Sequence, residues 1–407
     1  FLTTGTYVSP QALKESPLPQ EIRDELVRLY ADETDYLPGK SATQRRAIVE
    51  SISWRDFLAQ YGKFSETTLD FVQKWPHGVW AIGADACPAW LAYNEGYPGF
   101  AGMDLGYNDD EGPADHSVFS FPDGNATIAR LLVRKLVPGI APGNGIDDIV
   151  LAHFDYEALD APDKQTRIRL NSTVVHLQHK DKDLSGDVEL TYVTNGQAHS
   201  VSGSRVIWSG YHSMLPTVCP DIPSEQLAEQ SNCERAPLVY TNVLIRNWTS
   251  VAELRIKRAY CPGSFFHTIM LGRPTSYGAY RYPTSPEEPM VLHMQHIPLK
   301  TGLSAPEQFR AGRRDLLGMD FEVFERAVRD QLRRVLGPAG FNPARDIEAI
   351  TVNRWPHGYA YSVDRKSGEV AWYPDDWEEE DRTWVGASRR VGNIAFAGTD
   401  AASNAMS

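Results

Sequence analysis

The chain has 407 residues, a length that is too great for one ordinary hydrophobic core and sufficient for two. Of these residues, 42% are hydrophobic and 11% aromatic. The formal net charge of -13 argues against nucleic-acid binding, because phosphate recognition needs a surplus of Lys and Arg. No run of about 18 apolar residues occurs, so no membrane span is predicted. An acidic chain attracts a cationic substrate or partner instead, although an ordinary acidic surface explains the same charge.

The opening hundred residues are predicted to be helical. Apolar residues recur at helical spacing in Gln20–Ala31, and Trp54–Tyr61 is a second short amphipathic segment. From Trp75 to Asp115 the sequence is rich in Gly, Pro and aromatic residues, which predicts a long irregular loop. Loops of that length often wall a site. This loop carries an acidic cluster of Asp109, Asp110, Glu111 and Asp115.

A capped helix is predicted over Ala126–Leu136, where Ile128, Leu131, Leu132 and Leu136 form one apolar stripe. Asp123 or Asn125 can cap its amino end. Gly124 permits close approach there, so this end is a candidate contact for an anion or a cofactor. Most capped helices bind nothing, and the residues alone leave the choice open.

Alternating apolar and polar residues predict several strands in the middle of the chain. Three of them, with an Asn195-Gly196 turn between the second and the third, predict a small antiparallel meander beside a main sheet. The predicted strands are Arg167–Leu177, Asp187–Val193, Val201–Trp208, Leu238–Ile245 and Pro289–Ile297.

A helical block follows from Ser304 to Gly337, and Ser304 with Glu307 forms a capping box at its start. The next strand, Ile347–Val352, leads into a turn that contains Trp355, His357 and Tyr359. Aromatic rings and a titratable His in one turn are typical of a wall that faces a flat cofactor or a cationic amine. Core packing explains the same composition, and the residues alone do not decide between the two.

The segment Val391–Ala397 is predicted to be a buried strand, and Gly398, Thr399 and Asp400 follow it. This pattern predicts a carboxylate at the carboxyl edge of a sheet, where α/β folds bind nucleotide-type ligands. An acid at that edge can accept hydrogen bonds from ribityl or ribose hydroxyls, and Asn404 can meet the edge of a flavin ring. The alternative is a buried strand that simply ends in a turn.

The four cysteines have no C-x-x-C spacing, so the sequence supports neither a metal site nor dithiol chemistry. Cys219 and Cys233 can pair in an oxidising compartment, and two separate buried thiols explain them equally well.

Five segments, taken in chain order, resemble the flavin-containing amine oxidase superfamily and, within it, the bacterial spermidine dehydrogenases. Together they extend from the predicted helix cap to the C-terminal Gly turn. They are Phe121–Arg134, Arg169–Val175, Leu238–Ile245, Asn353–Tyr361 and Phe396–Asp400.

The resemblance implies an α/β, two-domain flavin amine oxidase-like fold, with an FAD-binding domain of discontinuous segments and an α+β substrate domain. The superfamily's G-x-G-x-x-G Rossmann fingerprint is missing from this chain, and we expect that N-terminal segment to lie outside it. The implied division is residues 1–120 for the first part of the substrate domain, 121–213 for the middle FAD segment, 214–354 for the second part of the substrate domain, and 355–407 for the return to the FAD domain.

The function that the resemblance implies is FAD-dependent oxidation of a polyamine such as spermidine, in polyamine catabolism. It assigns Gly124, Asn125, Val174, Gly398, Thr399, Asp400 and Asn404 to FAD. Trp355, His357 and Tyr359 would wall the amine site, and Asp109, Asp110, Glu111 and Asp115 would anchor the distal ammonium.

The superfamily often places a Lys near flavin N5, and the corresponding segment Trp208–Met214 contains none, so that role is unassigned. An electron acceptor, a heme group and a periplasmic location are further expectations from the resemblance alone. Two other functions stay open: another flavoenzyme of the same fold, such as a desaturase, and a non-catalytic acidic lobe that binds polyamines.

Overall fold

The computed structural model describes residues 2–3, 13–14, 16, 18–31, 33–103, 105, 120–363, 368, 370, 372, 378, 381–402 and 404–405. The fold is mixed α/β, as predicted. Among these residues no helix is long and apolar enough to cross a membrane. The four predicted polyamine anchors, Asp109, Asp110, Glu111 and Asp115, lie outside the described residues.

Helices form about half of the first hundred described residues and recur between the later strands. Side-chain caps define several of their starts, including capping boxes at Ser41 and Ser304. The helices are α1 Gln20–Ala31, α2 Ala42–Ser51, α3 Trp54–Gln60, α4 Glu66–Val72, α5 His77–Trp80, α6 Ala89–Asn94, α7 Ala126–Leu136, α8 Leu215–Val218, α9 Ser224–Gln230, α10 Thr249–Glu253, α11 Ala305–Leu317, α12 Phe321–Leu336, α13 Pro343–Asp346 and α14 Thr383–Ala387.

Within the described residues the strands form four separate sheets. Six antiparallel strands make the main sheet in the order β1-β8-β9-β10-β7-β11, and β2-β3-β4 form a meander. The others are the three-stranded β14-β12-β6 sheet and the parallel pair β13-β5. The strands are β1 Leu2–Thr3, β2 Thr173–His179, β3 Val188–Thr194, β4 Gln197–Gly203, β5 Val206–Trp208, β6 Cys233–Arg235, β7 Leu238–Ile245, β8 Arg258–Tyr260, β9 Thr268–Leu271, β10 Met290–His296, β11 Ile347–Trp355, β12 Ala360–Ser362, β13 Ile394–Phe396 and β14 Asn404–Ala405.

Separate apolar cores hold these layers together. The N-terminal helices pack around Trp54 and Phe57 and reach Phe309 and Tyr361 from distant parts of the chain. The Tyr361 hydroxyl donates a 2.6 Å hydrogen bond to the Trp80 carbonyl, which satisfies both buried groups. A second core lies between one face of the six-stranded sheet and α12, and a third surrounds the parallel pair.

The predicted loop from Trp75 to Asp115 is wrong in its first part, because it contains α5 and α6. Both helices are short, four and six residues, so helical periodicity has too few turns to be visible. Their buried Trp80 and Trp90 instead show that tertiary packing stabilises them.

The predicted strand at Arg167 also begins later, at Thr173. Arg167 and Arg169 bind the Asp160 carboxylate at 2.6 and 2.8 Å, which draws this segment away from the meander. Asn171 has a φ of 52°, a left-handed conformation that interrupts an extended chain. The strand predicted over Val201–Trp208 is divided between β4 and β5, which belong to different sheets.

Candidate functional site

The candidate site lies at the carboxyl edge of the parallel pair β5 and β13. Trp208 and Phe396 are register partners at the ends of the two strands, and the Ala397 N–H donates a 2.8 Å hydrogen bond to the Trp208 carbonyl. Both chains then turn, into 209–212 and 397–400. In open α/β sheets this edge is where nucleotide-type ligands bind.

Gly398 makes the close meeting of the two turns possible. Its φ is 101°, in the region that favours glycine, and a Cβ atom there would lie 3.3 Å from the Ser209 carbonyl oxygen. Any other residue would strain the backbone and press on the turn that follows β5.

Asp400 is buried, and its carboxylate joins three segments of the chain. The His212 N–H donates a 2.8 Å hydrogen bond to Oδ2, and the Arg235 guanidinium pairs with Oδ1. The Cys233 thiol lies 3.2 Å from the same Oδ1. A buried carboxylate needs such partners, because an unpaired charge in the interior is strongly unfavourable.

Arg235 connects the Asp400 turn to the turn that follows β11. Its guanidinium donates to Thr399 Oγ1 at 2.7 Å and to the Gly358 carbonyl at 3.3 Å. It also lies over the Tyr211 ring, 4.4 Å from the centroid, which is a cation-π contact. Tyr211 in turn packs against His357 with ring centroids 4.9 Å apart. The turns that contain His357 and Asp400 therefore share one location.

Both histidines of this site are neutral at pH 7. Burial lowers the pKa of His357 below its ordinary value, and the cations Arg313 and Arg235 lower it further, against an opposing effect of Asp400. Burial also lowers the pKa of His212, where Asp400 again opposes the shift. Neutral imidazoles can accept a proton or donate a hydrogen bond.

Tyr359 belongs to a row of polar side chains on the main sheet. Its hydroxyl lies 2.9 Å from the Tyr240 hydroxyl, and the Tyr240 ring meets His293 edge to face at 5.2 Å. His293 Nδ1 is 2.8 Å from Asn242 Oδ1. Burial raises the pKa of Tyr240, and its hydrogen bond to Tyr359 raises it further. The row thus presents neutral donors, acceptors and aromatic faces.

Trp355 is the last residue of β11, opposite Leu238, and it is 52% exposed. Its assignment to the amine wall stays a prediction. The sequence prediction ended that strand at Val352 and was wrong by three residues. His357 and Tyr359 lie close to the site but contact different neighbours, Tyr211 and Tyr240.

The residues predicted to bind the cofactor do not all lie at the carboxyl edge. Thr399 and Asp400 lie together at the carboxyl edge, and Val174 in β2 packs against the apolar cluster that surrounds the parallel pair. Asn404 belongs to β14, and its backbone pairs with that of Tyr361 in β12. The side chain of Asn404 lies outside the described part of the structure.

Gly124 and Asn125 directly precede α7, and the described structure gives no hydrogen bond between them and the Asp400 turn. Asn125 makes no side-chain cap, whereas the Asp123 carboxylate accepts a hydrogen bond from the Thr127 hydroxyl. The predicted apolar stripe on this helix is not buried, since Leu132 is 56% exposed. The buried residues of α7 are Thr127 and Arg134 instead.

Sequence reasoning missed Arg235, His212, Tyr240, Asn242 and His293. The last three follow from alternation in β7 and β10, because every second residue faces the same side of a sheet and the register pairs His293 with Asn242. No signal identifies Arg235, because its partner lies 165 residues away.

Several buried polar atoms at the edge have no hydrogen-bond partner among the described residues: both ring nitrogens of His212, Arg235 Nε and Trp208 Nε1. Nearby Ile207 is 68% exposed. Buried polar atoms normally have hydrogen-bond partners, so these unpartnered atoms indicate an edge that can bind a polar ligand. The described residues contain no group of three or more His, Cys, Asp or Glu side chains placed to hold a metal. All four cysteines are free.

No protein-family model matches the chain, and no curated protein matches it. The chain is similar in fold to solved structures of amine oxidases. Putrescine oxidase bound to putrescine shares 14% identity over 98% of this chain and 73% of its own, with a TM-score of 0.46. Cyclohexylamine oxidase from Brevibacterium oxydans IH-35A shares 11% over 95% of this chain and 71% of its own, with a TM-score of 0.45. At this identity the likeness concerns the course of the chain alone.

Proposed function

We propose that this protein is an FAD-dependent oxidoreductase that oxidises a polyamine, which is the function that the five motifs imply. The main support is the junction made by Arg235, which ties the Gly398–Asp400 turn to the turn that contains His357. The carboxyl edge of β5 and β13, which we assign to the nucleotide, is thereby in contact with the turn that contains His357. An amine-oxidising flavoenzyme needs a nucleotide site and an amine site at one place.

Gly398, Thr399 and Asp400 are the residues we assign to the ribityl and pyrophosphate region of FAD. A carboxylate offers about four acceptor positions, and Asp400 uses three of them within the protein, on His212, Arg235 and Cys233. One position is left for a ligand hydroxyl. The unpartnered His212 nitrogens supply further polar atoms at this edge, which fits the many hydrogen-bonding groups of FAD.

The row of Tyr359, Tyr240 and His293 is the region we assign to the amine. Aromatic faces attract an ammonium group, and removal from water lowers the pKa of the amine, so the reactive nitrogen is held uncharged. His357, neutral at pH 7, can take the proton that the amine releases. Bound FAD would accept the hydride from the carbon next to that nitrogen, and water would then hydrolyse the resulting imine.

Polyamine specificity, as opposed to oxidation of another amine, is supported by the net charge of -13, which attracts a polycation. The distal anchors Asp109, Asp110, Glu111 and Asp115 stay predictions. The division into four domain segments, an electron acceptor, a heme group and a periplasmic location are likewise inferred from the resemblance.

The proposal is tested with the purified full-length protein. We expect the absorbance bands of a flavin, and we expect spermidine added without oxygen to bleach them. Flavin that spermidine leaves oxidised would favour a desaturase-like enzyme of the same fold. A protein that takes up no FAD but binds spermidine would be the non-catalytic acidic lobe, and the enzymatic proposal would be wrong.

A further inference from the structure

A cavity of about 250 Å³ lies where α5 meets the end of β10 and the end of α11. Its wall includes Lys74 and His77 on one side and His296 on another, with Asp315 on α11 and Met319 just after that helix. None of these residues belongs to the candidate site at Asp400. The volume is sufficient for a small polyatomic ion together with water.

Lys74 gives the cavity its charge. Its ammonium donates a 2.8 Å hydrogen bond to the Ser264 carbonyl, and no carboxylate of the described residues lies within 4.0 Å to form an ion pair. An ammonium has three N–H donors, so two are left for another partner. Burial lowers the pKa of Lys74, which is the effect of holding a cation without a counter-charge.

Three imidazoles surround the same cation. His77 is 5% and His267 2% exposed, and their rings meet edge to face at 5.2 Å. Partners are missing, among the described residues, for His77 Nδ1, His296 Nε2 and both nitrogens of His267. Burial lowers the pKa of His267 to about 3 and that of His296 to about 4, so both are neutral. A neutral imidazole carries one N–H donor. His296 gives its donor, on Nδ1, to the Phe265 carbonyl at 2.8 Å, so of the two histidines that line the cavity it is His77 that can offer an N–H to a ligand.

A second cation lies behind this cluster. A Cβ atom on Gly78 would be 3.6 Å from Arg258 Nη2 and 3.9 Å from His267 Nε2. The guanidinium and the imidazole are therefore both adjacent to Gly78. Arg258 has no carboxylate within ion-pair distance in the described part of the chain either. In a protein whose net charge is -13, this region is a local excess of positive charge.

A metal does not explain the cluster, because the three histidines do not converge on a common point within the described structure. A cationic ligand would be placed beside an uncompensated ammonium, which is unfavourable. An anion, in contrast, would supply both the missing counter-charge for Lys74 and a missing acceptor for the imidazole N–H group of His77.

We propose that this cavity binds a small oxyanion, a carboxylate or a phosphate, through the Lys74 ammonium and the ring N–H group of His77. Asp315, exposed on α11, lies in the wall and repels the bound anion. A doubly charged phosphate is therefore held back more strongly than a singly charged carboxylate.

The test is isothermal titration of the full chain with sodium acetate and with inorganic phosphate at constant ionic strength. We expect saturable binding with one site, in the millimolar range or tighter. Lys74→Met should weaken binding about tenfold or more, because it removes a charge-assisted hydrogen bond. Asp315→Asn should strengthen it, by roughly two- to fivefold, and more for phosphate than for acetate.

Lys164→Met is the matched control, since Lys164 also donates to a backbone carbonyl, that of Pro138, and does not line the cavity. It should leave anion binding unchanged. Absence of saturable binding of both anions to the wild-type chain would overturn the proposal, and so would a folded Lys74→Met protein that binds as tightly as wild type. If Lys74→Met does not fold, the imidazole ¹⁵N signals of His77 in the wild-type chain must move on addition of phosphate; signals that stay still would refute the site.

Discussion

Arg235 and Asp400 form a buried ion pair whose side chains are 10% and 4% exposed. The pair joins β6, the turn after β13 and, through the carbonyl of Gly358, the turn after β11. Its energetic role follows from its burial. Removal of one member leaves an uncompensated charge in the interior, which is much more costly than the loss of an exposed pair.

We therefore expect Arg235→Met to lower the free energy of unfolding by about 3–5 kcal/mol. Arg310→Met is the control, because Arg310 pairs with Glu234 while 57% exposed, and its loss should change stability by less than about 1 kcal/mol. Denaturant unfolding of both variants measures the difference. Equal effects of the two substitutions would show that the buried pair has no special role.

Asp400→Ala is expected to reduce the amount of flavin that copurifies with the full-length protein by about tenfold or more, because a hydrogen bond to a charged group is lost. The ratio of flavin absorbance to protein absorbance is the measurement. Asp183→Ala, in an exposed turn between β2 and β3, is the control and should leave that ratio unchanged. Full flavin content in a folded Asp400→Ala protein would argue against the assignment of this edge to FAD.

The Tyr240 and Tyr359 hydroxyls should be energetically coupled, since they share one hydrogen bond. Each Tyr→Phe change alone should cost about 0.5–1.5 kcal/mol of stability, and the double variant should cost less than the sum of the two. Unfolding of the four proteins gives this coupling directly. Tyr156→Phe, at a position that is 69% exposed, should have almost no effect. Strict additivity would mean that the two hydroxyls do not interact in solution.

Stability should fall with acidification because of His267. Its pKa is lowered from 6.5 to about 3 in the folded protein, so the unfolded chain binds the proton first as the pH drops. The stabilisation is complete above pH 6.5 and is lost towards pH 3, with a slope of up to about 1.4 kcal/mol per pH unit.

His267→Leu should flatten that slope, which urea unfolding between pH 4 and 7 measures, the lower limit being about the pKa of a carboxyl group. His153→Leu changes an exposed histidine and should leave the slope as it is in the wild type. An unchanged slope in His267→Leu would show that this imidazole does not titrate differently on unfolding.

Local signals in the sequence predicted the parts of the fold that local interactions determine. The strand Leu238–Ile245 matches its prediction at both ends, because the segment is rich in the β-branched and aromatic residues that favour strands. The capping box at Ser304 and the Asn195-Gly196 turn are also confirmed, with left-handed φ angles of 50° and 75° in the turn. The helical block after Ser304 is two helices, however, with a cap at Asp320 between them.

The site itself was predictable only in part. The position of Asp400 after a buried strand was visible, because the pattern of apolar residues and Gly is local. Its partner Arg235 was not, since an arginine in a short strand has no periodicity that distinguishes an ion pair from a surface residue. The row of Tyr240 and His293 needed the register of two strands, which one sequence does not determine.

The two strands of the carboxyl edge, β5 and β13, are far apart in the sequence, and this separation affects when the edge forms during folding. His212 and Asp400 are 188 residues apart, and the parallel pairing of β5 with β13 closes the same span. Contacts of such high sequence separation form slowly, because the entropy of loop closure is lost before the contact can compensate for it. During synthesis on a ribosome, the helices and the main sheet can fold before β13 has been made. Binding of any ligand at the carboxyl edge is therefore a late step in the formation of the protein.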